Sequence, residues 1–380
     1  MARTRDTDAC PGALQVHQAA DGALARIRLP GGMITAAQLA ALATVSSQLG
    51  SGTLELTARG NVQLRGLTDV TAVAEALAAA GLLPSMTHER VRNIVASPLS
   101  GRCGGDLDVR PWVKELDAAI CGEPRLAGLG GRFWFGLDDG RADVSGLRAD
   151  IGIHAFADEC ALLLAGRDTG VRLAAGEVVE TLATLALRFV DIRGTAWRVQ
   201  ELDDVRQLLP DADPRATSFL AVTTAPVGWI GQDCPGQQGR VTLGAAVPLG
   251  VLPARVAEYL AAIEAPLVIT PWRSVLVCDL SEEVADTALR VLAPLGLVFD
   301  ENSPWLTVSA CTGSPGCARS AADVRADAAQ SLDAASTVHR HFVGCDRACG
   351  SPLAGEVLMA TPDGYRRLSP GAAGRHSTKL

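Results

Sequence analysis

Residues 24–29 alternate between apolar and basic side chains, which places Ala25, Ile27 and Leu29 on the inward face of a half-buried strand. Pro30, Gly31 and Gly32 end that strand. The order Thr35-Ala36-Ala37-Gln38 is a capping box, and Leu39, Leu42 and Val45 then share one face of the helix it opens. Gly50 and Gly52 stop the helix. Alternation returns over 53–57 and 62–64, and a second helix is predicted from about 70 to 80, closed by Gly81.

The same order of landmarks recurs later. Val247-Pro248-Leu249-Gly250 stands where Leu29-Pro30-Gly31-Gly32 stood, followed by a helix near 254–263, a strand over 267–270 and a helix around 285–292. Both copies read β-α-β-β-α-β, a ferredoxin-like half each. The region between them, about 90–224, is mixed α/β, with strand candidates at 133–137 and 189–192 and helix candidates at 157–164 and 177–187. Pro210, Pro214 and the aspartates between them read as a surface linker. The predicted architecture is α+β in four parts: a ferredoxin-like half at 20–88, a middle α/β domain at 89–235, a second half at 236–300 and a cysteine-bearing domain at 301–380.

Composition narrows the function. A chain of 380 residues suits several domains of roughly 100–200 residues, and 48% hydrophobic content excludes a disordered chain. A net charge of -8 speaks against a general binder of nucleic acid or of anionic membranes. Only Lys114 and Lys379 are lysines among 34 basic residues, so an arginine in place of a lysine carries little information. The uncharged stretch at 29–54 is broken by prolines, glycines and glutamines and does not read as a bilayer span. The first twenty residues carry Arg and Asp without an apolar core, so no secretory leader is expected and the chain reads as cytoplasmic.

Ten cysteines in a reducing compartment point to metal or redox chemistry rather than to a disulfide framework. Cys311 and Cys317 form a C-x5-C, and Cys345 and Cys349 form a C-x3-C. Two close pairs of thiolates are what a cubane cluster needs, one cysteine per iron. Ser314-Pro315-Gly316 turns Cys317 back toward Cys311, and Gly344 and Gly350 let backbone approach the cluster. A structural zinc or buried free thiols are the alternatives, although C-x5-C suits zinc poorly. Cys10, Cys103, Cys121, Cys160, Cys234 and Cys278 have no partner at ligand spacing, and most of them read as small apolar residues; Cys103, in the glycine-rich Gly101-Arg-Cys-Gly-Gly105, fits that reading least well.

Thr57-Ala58-Arg59-Gly60-Asn61-Val62-Gln63-Leu64-Arg65-Gly66 resembles the T-x-R-x-x-x-Q signature of the sulfite/nitrite reductase superfamily. With two ferredoxin-like halves and the cysteine spacing, the resemblance runs from about residue 23 to 352. Residues 28–33, 57–67 and 310–317 most resemble the precorrin-3B synthase branch. That branch implies a [4Fe–4S] cluster on Cys311, Cys317, Cys345 and Cys349. It further implies O2, an electron donor and a tetrapyrrole substrate, precorrin-3A, hydroxylated at C20 with γ-lactone closure by a ring A acetate. An additional non-haem iron is also associated with it. His341, four residues before Cys345, resembles a family histidine, although a histidine simply packed beside the cluster loop is the competing reading; His88-Glu89 and His154 are weaker candidate ligands.

Precorrin-3A and sirohaem both carry eight acid side chains, and planar guanidinium groups hold carboxylates bidentately. Arg59, Arg65, Arg92, Arg132 and Arg273 stand at motif positions and are the candidate substrate-binding residues. One departure bears on activity. The reductases carry a basic K-x-K pair in the middle domain, and here the matching Arg132-Phe133-Trp134 replaces one base by an indole. That replacement argues against six-electron reduction of sulfite or nitrite. A sirohaem-dependent reductase, in which the last cluster cysteine would also bridge to the haem iron, is the alternative; an electron carrier would need neither the duplication nor the Thr57–Gly66 signature.

Overall fold

The computed structural model describes residues 10–210, 219, 220, 222 and 224–368. The alternating segment forms strand Gly22–Ile27, and the capping box is made: Thr35 Oγ1 accepts from Gln38 N at 3.2 Å while Thr35 N donates to Gln38 Oε1 at 3.1 Å. Helix Ala36–Leu49 follows and buries Leu39, Leu42 and Val45, as the spacing predicts. Strands Thr53–Leu56 and Val62–Leu67 and helix Val70–Ala79 complete the first half. The second half repeats it with strand Val241–Ala246, helix Ala254–Ala261, strands Leu267–Ile269 and Ser274–Leu280, and helix Glu282–Leu292.

The halves exchange edges. Val251–Pro253, from the second half, pairs with Thr53–Leu56 in the first sheet; Met33–Ile34, from the first, pairs with Leu267–Ile269 in the second. Each edge strand thus covers an edge that would otherwise expose unpaired backbone groups. One apolar core runs through both halves, from Ile27, Leu54 and Leu64 to Leu252, Leu260 and Val277. The last strand expected of each copy is not formed. The position beside the first strand is already taken, by His17–Ala19 in one sheet and Gly228–Gly231 in the other. Residues 81–88 therefore form no strand, and the second copy keeps only a bridge between Ala246 and Val298. Gly228–Gly231 also carries the second sheet upstream of residue 236.

The middle domain is a five-stranded sheet ordered Arg167–Leu173, Cys160–Leu164, Ile151–Ala155, Phe135–Asp138 and Ile94–Ala96, with helices Arg110–Gly122 and Val178–Ile192. Two expectations are corrected here. Residues 160–164 are strand rather than helix, because this apolar run is a central strand buried on both faces. Residues 189–192 end a helix rather than form a strand: Val178, Leu182, Leu185 and Phe189 fall on one helical face and all point inward. Pro210 is described, but Pro214 and the aspartates of the expected linker lie outside the described residues, as do residues 1–9 of the segment read for a leader. Among the described residues no helix is long and apolar enough to cross a membrane.

Strands Val308–Ala310, Arg340–Val343, Glu356–Thr361 and Gly364–Leu368 make the last sheet, with helix Val324–Gln330 against it. The first two pairings are parallel and the third antiparallel. Its apolar core is small, built around Val308, Val324 and Phe342.

Candidate active site

Parallel pairing of Val308–Ala310 with Arg340–Val343 ends both strands at the same level, so the C-x5-C and C-x3-C loops emerge side by side. Cys311 N donates to Phe342 O at 2.9 Å, and Ala321 N donates to Gly344 O at 2.9 Å, which ties the loops together. Cys317 N returns to Gly313 O at 2.8 Å, the turn expected of Ser314-Pro315-Gly316. Gly344 is required by space: a Cβ there would lie 1.7 Å from Ser320 Oγ. Its N–H donates to Cys311 Sγ at 3.4 Å, a backbone bond of the kind that would steady a sulfur ligand.

Burial pushes the Cys311 and Cys349 thiols up, and the charges of the neighbouring cysteines push in the same direction. Thiols crowded together in this way are ionised most readily by a cationic centre placed between them. Tetrahedral zinc with Zn–S near 2.3 Å needs its sulfurs about 3.8 Å apart. No three of these thiols lie within 4.8 Å of one another. The spacing suits a centre larger than one zinc ion, and this set of four sulfur donors fits a cubane cluster.

The turn after Cys349 opens onto a cavity of about 480 Å³, where Gly350 and Ser351 form part of the wall. Trp134, Trp272 and Trp305 supply broad apolar faces, and Arg59, Arg148, Arg198 and Arg273 supply positive charge. Arg59 follows strand Thr53–Leu56 in a tight turn: Thr57 Oγ1 accepts from Arg59 N at 3.4 Å and Asn61 N at 3.1 Å, while Gly60 N donates to Thr57 O at 3.1 Å. Its guanidinium carbon lies 5.9 Å from the centre of the Trp134 ring, with no hydrogen-bond partner among the described residues. Burial, with Arg198 beside it, pushes that guanidinium down to about 9. A half-buried guanidinium with no hydrogen-bonded anion among the described residues is a ready carboxylate site. Arg273 stands over the turn after Cys349, its Nη2 donating to Gly350 O at 3.2 Å. Arg198 is neutralised by Asp150, to which Nε donates at 2.6 Å.

His339 lines the cavity and leads inward. Its Nε2 is 2.7 Å from Ser309 Oγ, which is also 2.7 Å from His341 Nδ1; His341 Nε2 is 2.9 Å from Cys349 O. A carbonyl only accepts, so His341 carries its proton on Nε2 and accepts from Ser309 on Nδ1. Burial and the nearby Arg273 push His341 down to about 3, which keeps it neutral. With both ring nitrogens engaged, His341 fixes the Cys349 turn.

Of the sequence candidates, Arg59 and Arg273 reach the cavity. Arg65 lies elsewhere: Asp21 takes its Nε and Nη2 at 2.8 Å each, and Nη2 donates to Gly316 O at 2.7 Å, bracing the loop between Cys311 and Cys317. Arg92 is held bidentately by Asp117 at 2.7 Å. Arg132 lies against Trp197 and does not line the cavity, whereas Trp134 does. His88 bonds Ser85, Thr87 and Glu123 O, and Glu89 accepts from Ala13 N; both are structural. His154 sits between Ser145 and the ring of Phe219. Sequence reasoning missed Arg148, Arg198, Trp305 and His339. Trp272 is next to the candidate Arg273 in the sequence, but the others carry no local pattern. An open-sided iron site takes two histidines and a carboxylate. Among the described residues the cavity wall holds one histidine and no carboxylate, so these residues do not fit an additional non-haem iron.

Asp138, Asp139 and Asp143 cluster in the middle domain, all buried or nearly so. Asp138 accepts four backbone N–H groups and Asp139 binds Arg141, which identifies them as loop anchors. Burial and the charge of Asp138 push Asp143 up to about 7. A raised carboxyl stabilises the fold below its unfolded value near 3.8 and loses that contribution as pH rises through 7. Asp143→Asn should therefore be more stable than the parent at pH 8, by about 1–2 kcal/mol, with the advantage gone near pH 4. Melting temperatures of both proteins across that range check this.

Residues 17–80 match the nitrite/sulfite reductase ferredoxin-like half domain. A precorrin-3B synthase of Sinorhizobium sp is 28% identical over 96% of this chain and 83% of its own length. A ferredoxin–nitrite reductase of Synechococcus elongatus is 27% identical over 88% of this chain and 75% of its own. The structure of the NirA protein of Mycobacterium tuberculosis superposes with a TM-score of 0.75 over 93% of this chain and 79% of that one, at 19% identity. The fold is that of NirA.

Proposed function

We propose that the chain is a member of the sulfite/nitrite reductase superfamily and, within it, a precorrin-3B synthase, an enzyme of aerobic cobalamin biosynthesis. In this reading it hydroxylates precorrin-3A at C20 and the ring A acetate closes a γ-lactone. The observation that carries it is the cavity: three indoles, Trp134 among them, and a set of arginines beside the Cys349 turn. The similarity to the Sinorhizobium synthase along 96% of the chain supports it.

Each residue then has a task. Trp134, Trp272 and Trp305 pack against the flat macrocycle, and Arg59 and Arg273 take carboxylate arms bidentately. Cys311, Cys317, Cys345 and Cys349 would hold a [4Fe–4S] cluster, which supplies electrons one at a time when bound. His341 and Ser309 hold the Cys349 carbonyl, and with it the cavity floor, in place. Overall, one oxygen atom of O2 becomes the hydroxyl, and two electrons and two protons carry the other to water.

A second reading, a sirohaem-dependent nitrite reductase, is favoured by the position of the Cys349 turn against the cavity and by the Synechococcus relative. Acid–acetone extraction of the purified holoprotein separates the two. The proposal expects iron and sulfide without sirohaem; stoichiometric sirohaem with nitrite reduction would overturn it.

A further inference from the structure

A second cavity of about 810 Å³ adjoins the first, and the two share Arg148, Gln200 and Leu353 as wall residues. We infer that this outer cavity is an anion subsite, in which Arg148, Arg167 and Arg206 receive the carboxylate arms of a polycarboxylate macrocycle that the inner cavity leaves unmatched. The inference rests on the proposed tetrapyrrole substrate and extends it to the residues that read how many acid arms the ligand has.

Charge is the first argument. Of the four inner arginines, Arg198 is already neutralised by Asp150, so an eight-armed acid meets only Arg59, Arg148 and Arg273 there. The outer wall adds Arg167 and Arg206, and its one acidic residue, Asp168, is held by Arg172 through two bonds of 2.9 Å. Arg148, Arg167 and Arg206 have no ion pair among the described residues. Three positive charges around one concavity repel one another and are stabilised by a bound polyanion.

Backbone geometry is the second. Arg148, at the boundary, is held at φ 62, a region that non-glycine residues seldom occupy. Two contacts keep it there: its carbonyl accepts from Arg198 Nη2 at 3.1 Å, and Gly166 packs so closely that a Cβ would lie 2.8 Å from Arg148 Cα. The ring of Phe219, another wall residue, lies 4.4 Å from that of His154.

The test titrates the holoprotein with uroporphyrin I, which bears eight carboxylates, and coproporphyrin I, which bears four, following porphyrin absorbance. The variant is Arg167→Glu/Arg206→Glu, two exposed positions, with melting temperature measured on the same samples. The subsite predicts that the variant loses about ten-fold or more in affinity for the octa-acid. The tetra-acid should change by less than about three-fold, and the difference should shrink at high ionic strength. Unchanged octa-acid affinity, or equal losses for both porphyrins, overturns the subsite and leaves the proposed function standing. A parent protein that binds neither porphyrin overturns the functional reading and the subsite together.

Discussion

Replacing Cys317 with alanine is expected to remove nearly all cluster iron and acid-labile sulfide from the purified protein. Three thiolates leave one corner of a cubane without its ligand, and the remaining set is spread too widely for any three to close on a smaller ion. Stability should fall as well. The last sheet has only a small apolar core, so binding a cluster to the folded state contributes much of what holds its two loops together. The far strands of the molecule should keep their own transition, because the ferredoxin-like halves and the middle domain bury large cores independently. Iron and sulfide assays with a calorimetric scan decide the matter. Full metal content and an unchanged visible spectrum in Cys317→Ala would refute the assignment of the four cysteines.

Arg59→Ala should weaken tetrapyrrole binding by about one to two powers of ten, since a hydrogen bond to a charged group is worth roughly 1.5–3 kcal/mol. The fold should lose little. Among the described residues the guanidinium makes no hydrogen bond, and it sits half-buried in the cavity beside Arg198, so removing it breaks no bond that holds the fold. Arg59→Lys should recover only part of the affinity, because an ammonium keeps the charge and loses the fork. Arg65→Ala serves as the contrast. It would strip Asp21 and the Gly316 carbonyl of their partner, so its cost should appear as lowered melting temperature and cluster content. Binding titrations and melting curves on the same preparations separate a ligand-holding arginine from a structural one.

How far the sequence reaches depends on the range of the interactions involved. Thr35 and Gln38 announce their helix because a capping box is a local event. The cysteine spacing is equally legible, since each pair closes within one loop. The edge exchange is not: Met33–Ile34 and Val251–Pro253 are two and three residues long, too short to show a period, and their partners lie in the other half. The Cys160–Leu164 run is apolar throughout, and periodicity alone does not tell a central strand from a buried helix. Arginines are hardest of all. Arg59 and Arg65 stand six residues apart in one motif, yet one faces a cavity and the other a carboxylate from strand-flanking Asp21. Only the long-range placement of acids decides which guanidinium is left over for a ligand.

The central claim is that this protein puts an oxygen atom from O2 into a tetrapyrrole. Single turnovers of the reduced holoprotein with precorrin-3A under 18O2, followed by mass spectrometry of the product, test it most directly. The account predicts one heavy oxygen in the product, located in the hydroxyl at C20; product carrying only oxygen from water, or efficient reduction of nitrite or sulfite by the same preparation, would contradict it.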